Sequence, residues 1–303
     1  MFLKPRLESD ELRTYYYLDA RMKLDSKDKQ QFINLVRGFE GESEFDGLLE
    51  QLGNEYLIMN DLLLAKHNTF FQIDSLVISH DTIYLFEIKN YEGDYYIEGD
   101  KWYLCSGTEI QSPLIQLKRN ETLLRRFLQP YQLSHITKAF LVFINPEFTL
   151  YKAPRDEMII FPSQLKRFMK GLSLGKPQLM ENQLQLAKKI LAEHQDKSPY
   201  TRLPTYKYEQ LQKGIICWKC RAIETKIDGG QLLCSICSAV ENADSAILRS
   251  VEELRLLFPE RKLTTNAIYE WCGAMVSKKT IRRVMKANYE LTGHGRTAHF
   301  IKK

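Results

Sequence analysis

The 303-residue chain lacks the long apolar segments that cross membranes or direct secretion. No uninterrupted apolar stretch reaches the roughly 18 residues that a membrane-spanning helix needs. The first residues, MFLKPRLESDELR, are charged where a signal peptide would be apolar. Internal repeats and low-complexity tracts are also missing, and 44% apolar with 27% charged residues is the composition of a globular protein. We therefore expect a soluble, cytoplasmic protein without a membrane partner.

Cysteine is scarce outside one short segment. Four of the six cysteines form two Cys-x-x-Cys pairs: Cys217 with Cys220, and Cys234 with Cys237. Two intervening residues allow both thiolates of a pair to reach one metal ion, and two pairs complete a tetrahedral four-sulfur site. We predict structural Zn²⁺, because four protein ligands leave no open position for a reacting water. A redox role for either pair is the alternative, and iron could occupy the same thiolates in vitro.

Acidic residues are scarce in the last third of the chain. Residues 1–200 contain 25 Lys and Arg against 28 Asp and Glu, whereas residues 201–303 contain 18 against 10. The formal net charge of +5 therefore arises in the tail. Such a charge distribution favours an acidic partner for the tail, of which nucleic acid is the commonest.

Hydrophobic patterns predict a mixed α/β fold for the first two thirds of the chain. The predicted elements, in order, are a helix over 9–25 capped by Ser9, a helix over 26–52 that is broken or kinked near Gly38, strands at 56–64, 70–78 and 82–90, a hairpin over 94–105, a helix over 113–129 that starts with Ser112 and Pro113, and a strand at 138–145. Helix, three strands, helix and strand is the order expected for a central mixed sheet flanked by helices.

Two carboxylates and a lysine fall on neighbouring predicted strands. Strand alternation places Glu87 and Lys89 on one face, and hairpin pairing brings Asp74 opposite that face. The two carboxylates and a backbone carbonyl, that of Ile88, suffice to hold Mg²⁺ or Mn²⁺ against a phosphate. The lysine would orient and help deprotonate the attacking water. A solvated surface strand is the simpler alternative, but these charges interrupt an apolar run and, once buried, need partners.

The motifs around these residues resemble the NERD (nuclease-related) domain, a family assigned to the PD-(D/E)XK, restriction-endonuclease-like superfamily. The resemblance covers roughly residues 30–145 and rests on Gly38-Phe39-Glu40-Gly41-Glu42, Gln72-Ile73-Asp74, Glu87-Ile88-Lys89-Asn90-Tyr91, Trp102, Pro113 and Gln116. It implies a sheet flanked by helices, in the order that the patterns predict.

The resemblance also implies roles for particular residues. Asp74 and Glu87 look like the metal-binding carboxylates of the superfamily, and Lys89 looks like its catalytic lysine. Glu42 is similar to the helical glutamate that often assists at the metal, and Gln116 resembles the polar residue on the helix after the third strand. An exposed glutamate and a helix-surface glutamine are the alternatives for these last two.

The basic tail contains a helix with cations on one face. After Ser277, which is predicted to cap this helix, Lys279, Arg282, Arg283 and Lys286 recur at helical spacing. Helix, turn, basic helix and a small hairpin containing Arg296 resemble a winged helix-turn-helix. The pattern favours contacts with nucleic-acid phosphates or base edges, with a solvated helix face as the alternative.

We therefore divide the chain into an N-terminal helical extension (1–29), a nuclease-like domain (30–195), a linker (196–212), a zinc ribbon (213–240) and an α-rich domain resembling a winged helix-turn-helix (241–303). We predict a metal-dependent nuclease that hydrolyses phosphodiester bonds, with DNA as the favoured substrate and the ribbon and tail positioning it. A DNA-binding or regulatory protein that does not cut, and a protein-interaction module, are the alternatives. A homodimer is one expected assembly, since restriction-like nucleases often act as dimers.

Overall fold

The computed structural model describes residues 1–66, 69–131, 135–155, 158–173 and 181–302. The helices are α1 (Asp10–Arg21), α2 (Ser26–Leu49), α3 (Pro113–Leu128), α4 (Pro162–Ser173), α5 (Glu181–Ala192), α6 (Ala243–Leu257), α7 (Thr265–Trp271) and α8 (Lys278–Asn288). The strands are β1 (Phe2–Lys4), β2 (Leu57–Lys66), β3 (Thr69–Ile78), β4 (Thr82–Lys89), β5 (Gly93–Glu98), β6 (Lys101–Leu104), β7 (Glu109–Ile110), β8 (Ile136–Phe143), β9 (Phe148–Tyr151), β10 (Ile159–Ile160), β11 (Thr225–Asp228), β12 (Gln231–Cys234), β13 (Val240–Asn242), β14 (Tyr289–Thr292) and β15 (His299–Lys302). Among the helices described, none is both long enough and apolar enough to cross a membrane.

The chain forms two compact units. The first contains Met1–Leu7 and Leu35–Tyr200, and the second contains Glu8–Asn34 and Thr201–Lys303. The segment 1–29, predicted as a separate extension, is thus divided between the units. Residues 2–4 form β1, which pairs in parallel with β2 of the first unit, whereas α1 belongs to the second unit.

The first unit is built on a six-stranded mixed sheet. Its strand order is β1-β2-β3-β4-β8-β10, in which β2, β3 and β4 are antiparallel and the other neighbours are parallel. The helix α3 connects β4 to β8, as a parallel pair requires. A smaller sheet, β7-β6-β5-β9, adds to this unit and buries Trp102.

Helices cover both faces of the six-stranded sheet. On one face Leu117 and Leu124 of α3 share an apolar cluster with Leu85 of β4. On the other face Phe45 of α2 packs with Phe86, the next residue of β4. Because adjacent strand residues point to opposite faces, the two clusters lie on opposite sides of the sheet. The predicted central mixed sheet flanked by helices is confirmed.

The helix α2 runs through Gly38 without the break that was one of the two predicted alternatives there. The glycine that matters for packing is Gly41. A Cβ atom at this position would lie 2.5 Å from the Cβ of Asn90, the residue after β4. The side chain of Asn90 also donates a hydrogen bond to the carbonyl of Arg37 at 2.8 Å. The absence of a side chain at Gly41 therefore allows α2 to approach the end of β4 closely.

The second unit contains a three-stranded sheet and a helical region. The strands β11, β12 and β13 are antiparallel, and Gly229 and Gly230, both with positive φ, form the tight turn between β11 and β12. The helices α6, α7 and α8 are followed by the β14–β15 hairpin, and Leu263 pairs with Phe300 of β15. The predicted cap of α1 is present, since the Leu12 amide donates a hydrogen bond to Ser9 Oγ at 3.1 Å.

Candidate functional site

The predicted site residues of the first unit lie where the ladder between β3 and β4 ends. Pairing extends from Ile78 and Ile83 only to Ser75 and Phe86, one residue short of Asp74 and Glu87. The ladder between β2 and β3 also skips the position of Asp74, opposite Asp61, whose φ is 52°. Neither ladder therefore pairs Asp74 itself, which leaves nearby backbone groups to be satisfied by side chains.

The side chain of Asp74 replaces the missing backbone acceptor. Its Oδ2 accepts a hydrogen bond from the amide of Ile88 at 2.8 Å. The residue is 7% exposed, and burial raises the pKa of its carboxyl above the usual value. The predicted juxtaposition of Asp74 with β4 is thus produced by a direct side-chain contact.

Glu87 and Lys89 project together toward α3. The ammonium of Lys89 donates hydrogen bonds to Glu87 Oε1 at 2.8 Å and to Gln116 Oε1 at 3.1 Å. The other oxygen of Glu87 accepts a hydrogen bond from the amide nitrogen of Asn120 at 3.2 Å. The structure therefore brings together the predicted Glu87, Lys89 and Gln116, and it adds Asn120.

The electrostatics of this group follow from burial and from the proximity of like charges. Burial, followed by the charge of Asp74, raises the pKa of Glu87 to about 7. Burial opposes the positive charge of Lys89, but the carboxylates of Glu87 and Asp74 outweigh it and raise the pKa of the lysine. Lys89 therefore stays protonated at neutral pH, while the raised pKa values of Asp74 and Glu87 favour the protonated form of each carboxyl.

Glu42, on α2, is held by an arginine that the sequence analysis did not identify. Arg6, whose side chain is 3% exposed, donates hydrogen bonds to Glu42 Oε2 at 2.5 Å and to Asp46 Oδ2 at 3.0 Å. It also donates to the carbonyl of Asp74 at 2.8 Å and to Ser75 Oγ at 3.2 Å. Burial, followed by the charge of Asp74, raises the pKa of Glu42 to about 8 even though Arg6 lowers it. Arg6 thus links α2 to β3 beside the candidate site.

The donor atoms at this site fit a hard divalent cation. The carboxylates of Asp74 and Glu87 and the carbonyl of Ile88 are oxygen ligands of the kind that Mg²⁺ and Mn²⁺ prefer. In the described parts of the chain no third carboxylate completes a metal-ligating group with these two, and Glu42 pairs with Arg6 instead. Any further ligands at such a site would be water or substrate oxygens, as is usual for Mg²⁺.

The four cysteines of the second unit converge as predicted. Their sulfur atoms lie within 4.8 Å of one another, with 3.7 Å between the sulfurs of Cys217 and Cys237 and 3.5 Å between those of Cys220 and Cys234. This cluster is compatible with the predicted zinc ribbon.

The two Cys-x-x-Cys segments have the same local geometry. In each, the amide two residues after the first cysteine donates to its sulfur at 3.4 Å, from Lys219 to Cys217 and from Ile236 to Cys234. The residue after each second cysteine has positive φ, 61° at Arg221. Two matched turns that direct amide N–H groups at sulfur are suited to holding thiolates around one ion.

The predicted cations of α8 are exposed, and one of them has a partner. Arg283 donates hydrogen bonds to both carboxylate oxygens of Asp244 at 2.8 and 2.7 Å. Lys279, Arg282 and Lys286 form no ion pair within the described part of the chain. Arg296 lies outside the residues whose side chains the structure describes.

A cleft of about 630 Å³ separates α8 from the terminal hairpin. Arg282 and Lys286 line its helical side, and Leu291, Ala298 and Phe300 line its hairpin side. The predicted cap of α8 is present, since the Thr280 amide donates a hydrogen bond to Ser277 Oγ at 3.1 Å. Two unpaired cations therefore face an open groove in the second unit.

Two residues of the first unit's site escaped the sequence analysis. Asn120 follows Gln116 by four residues, so both lie on one face of α3, and this spacing could have revealed it. Arg6 gives no local signal, because its role depends on the pairing of β1 with β2, more than 50 residues away along the chain.

Comparisons with known proteins give a family and one solved structure. The family model of NERD, the nuclease-related domain, matches residues 37–144. Comparison with curated proteins gives no match. The crystal structure of protein VC1899 from Vibrio cholerae is similar at 12% sequence identity and a TM-score of 0.27, over 50% of this chain and 36% of that chain. This chain therefore spans little more than a third of that protein.

The resemblance drawn from the sequence motifs is confirmed by the family match, and the mixed sheet with its flanking helices is restriction-endonuclease-like. Such a domain indicates a nuclease-related function that involves nucleic acid. Residues 37–144 of this chain therefore contain a nuclease-related, or NERD, domain.

Proposed function

We propose that the first unit is a metal-dependent nuclease that hydrolyses phosphodiester bonds of nucleic acid, with DNA as the favoured substrate. The observation that carries the proposal is the arrangement of Lys89, which is hydrogen-bonded to Glu87 and Gln116 at the end of β4 where the Ile88 amide binds Asp74. A purely structural role would favour apolar residues at the end of a buried strand, since buried charges are costly unless they have a use or a partner.

Asp74, Glu87 and the carbonyl of Ile88 would hold Mg²⁺ or Mn²⁺ at the end of β4. When bound there, the ion would polarise the scissile phosphate and stabilise the charge that develops on its oxygens. The hydrogen bond from the Ile88 amide to Asp74 Oδ2 fixes the orientation of this carboxylate. The side-chain amide of Asn120 fixes Glu87 in the same way by donating a hydrogen bond to the second carboxylate oxygen of Glu87.

Lys89 would act as a hydrogen-bond donor to the attacking water and to the phosphate. Because Glu87 and Asp74 raise its pKa, the ammonium keeps its proton at neutral pH. As an ammonium it can orient the attacking water and offset negative charge on the phosphate. Gln116, through its carbonyl oxygen, holds the ammonium in place.

We further propose that the second unit binds substrate. The four cysteines would hold Zn²⁺ as a structural ion, and the three unpaired cations of α8 would contact phosphates or base edges. In this proposal the chain consists of a nuclease-like domain, a zinc ribbon and a winged-helix-like tail. A homodimer would supply two cutting sites for duplex DNA.

A cleavage assay on the full chain tests the proposal. Single-stranded, duplex and supercoiled DNA and RNA are incubated with Mg²⁺, Mn²⁺ or a chelator. We expect metal-dependent cleavage that falls by about 10²-fold or more in Asp74→Asn and Lys89→Gln. The matched control is the double variant Asp100→Asn with Lys101→Gln. These exposed residues lie in the turn after β5 and at the first position of β6, and the variant should cleave normally.

Two results would contradict this function. Cleavage that survives unchanged in both site variants would show that these residues are not the catalytic set. Nucleic acid that is retarded but uncut with every metal would instead favour the DNA-binding or regulatory alternative.

A further inference from the structure

The helix α3 carries four exposed cations that play no part in the proposed metal site or in the contacts of the second unit. The cations are Lys118, Arg119, Arg125 and Arg126, and Glu121 is the one acidic residue of the helix. All four cations are exposed. Arg125 is paired with Glu121 at 2.6 Å, whereas the other three form no ion pair within the described part of the chain. The surface of α3 is thus strongly positive.

The same helix contributes two side chains to the candidate active site. Gln116 and Asn120 of α3 bind Lys89 and Glu87. Arg119 follows Gln116 by three residues and therefore lies on an adjacent row of the helix surface. Its guanidinium donates a long hydrogen bond, 3.4 Å, to the carbonyl of Phe70 on β3. Arg119 is thus held beside the start of β3, four residues before Asp74.

Arg119 and Arg126 lie on the same face of α3. They are seven residues apart, which is close to two helical turns, so their side chains leave the same face of the helix. Seven residues correspond to a rise of about 10 Å. A nucleic-acid strand places a charge about every 3.4 Å along its axis, so this separation spans about three phosphates.

The cations of α3 make few contacts within the first unit, since Arg125 pairs with Glu121 and Arg119 forms one long hydrogen bond to Phe70. Glu121 is the one acidic residue of the helix and pairs with Arg125, so Lys118, Arg119 and Arg126 are left without an ion pair within the described part of the chain. The first turn also lacks acidic residues, although they would favour the positive end of the helix dipole. Both features favour an anionic ligand from outside the unit.

We propose that Arg119 and Arg126, flanked by Lys118, bind the phosphates of a nucleic-acid strand and lead it to the carboxylates of the candidate active site. The proposal rests on the proposed nuclease function for the identity of the ligand. It gives the first unit its own substrate contact, which offsets the repulsion between the phosphodiester and the carboxylates of Asp74 and Glu87.

The test compares two double variants of the full chain. Arg119→Gln with Arg126→Gln removes the proposed contacts. The matched control, Lys166→Gln with Arg167→Gln, removes two exposed cations of α4, which packs with the apolar cluster of α2 on the opposite face of the sheet. Each pair is also made in a chain whose tail is neutralised at Lys279, Arg282 and Lys286, so that binding by the second unit does not mask the effect.

The readout is fluorescence anisotropy with labelled single-stranded and duplex DNA, in chelator, at several salt concentrations. In the tail-neutralised chain we expect the α3 variant to raise the Kd by about tenfold or more and to reduce the slope of log K against log salt by about 2. The α4 variant should change neither quantity. Cleavage by the wild-type chain is measured in parallel.

The outcomes separate this proposal from the proposed function. If the wild-type chain does not cut but the α3 variant loses binding, the nuclease assignment fails and the phosphate contact stands. If the wild-type chain cuts and the α3 variant binds as tightly as the α4 control, the phosphate contact is wrong and the nuclease assignment stands. Absence of any binding by the tail-neutralised chain also overturns the contact.

Discussion

Replacing Arg6 with alanine is expected to weaken the sheet at the candidate site. The guanidinium is almost fully buried, and it holds the carboxylates of Glu42 and Asp46 together with the backbone of Asp74. The two carboxylate side chains are only 22% and 14% exposed. Removal of the cation therefore leaves two carboxylates, both well inside the protein, without their main partner.

The expected cost follows from the burial of these groups. Breaking a buried ion pair by removing one partner costs about 3–5 kcal/mol when the remaining charge cannot reach water. Protonation relieves part of this cost, since burial already raises the pKa of Glu42 to about 8 and also raises that of Asp46. We therefore expect a loss of ~3 kcal/mol at pH 8.5 and less at pH 6.

The sign of the pH dependence is fixed by the direction of the shifts. Arg6 lowers the pKa of Glu42 and Asp46, so the variant has folded-state values still further above those of the unfolded chain. Carboxyls with raised folded-state pKa values stabilise the fold at low pH and lose that contribution as pH rises through those values. The deficit of the variant should therefore grow between about pH 5 and pH 8.5.

Hydrogen exchange detected by mass spectrometry measures the effect within the first unit. A loss of ~3 kcal/mol lowers the protection of peptides from β3 by about 10²-fold. The matched control is Arg125→Ala, which breaks an exposed i,i+4 pair with Glu121 and should change protection by about twofold or less. If the protection of β3 peptides in the Arg6 variant at pH 8.5 falls by less than about fivefold, this guanidinium does not stabilise the sheet at the candidate site as proposed.

Two further predictions concern metal and pH. Cys220→Ser should lower the bound zinc, measured by mass spectrometry of the purified chain, from one ion to well below one, whereas Cys105→Ser, which removes an exposed lone thiol, should leave it unchanged. An equal zinc content in both variants would exclude the four-cysteine site. In chelator, hydrogen-exchange protection of β4 should decline as pH rises from about 5 to 8, because burial raises the pKa of Glu87 to about 7, and Glu87→Gln should flatten this decline. The same decline in both proteins would show that Glu87 is not the titrating group.

The elements that the sequence predicted well are those whose signals are local. Apolar runs rich in β-forming residues located β2, β3 and β4, and Pro113 marked the start of α3, although Ser112 makes no side-chain cap there. The resemblance then assigned Asp74, Glu87, Lys89 and Gln116, and the structure brings Glu87, Lys89 and Gln116 into direct contact. Period-two alternation suffices for this because residues 87 and 89 must share a face once β4 forms.

The features that the sequence could not give depend on pairing between distant segments. β1 is three residues long, too short for a periodic signal, and it exists only because β2 offers a parallel edge. Without β1 there is no reason to place Arg6 near Glu42. The break predicted near Gly38 does not occur for a related reason: glycine weakens a helix locally, but packing of α2 against the sheet overrides this preference.

The end of the β3–β4 ladder explains why Asp74 has two separable roles. Its Oδ2 satisfies the buried amide of Ile88, which would otherwise lack an acceptor because pairing stops at Ser75 and Phe86. An unsatisfied buried amide costs about 1–3 kcal/mol, so Asp74→Ala would weaken the sheet as well as remove a proposed metal ligand. Asp74→Asn keeps an oxygen that can accept from Ile88 and removes only the negative charge. A loss of metal-dependent cleavage in the asparagine variant, with hydrogen-exchange protection of β4 unchanged, can therefore be assigned to chemistry rather than to unfolding.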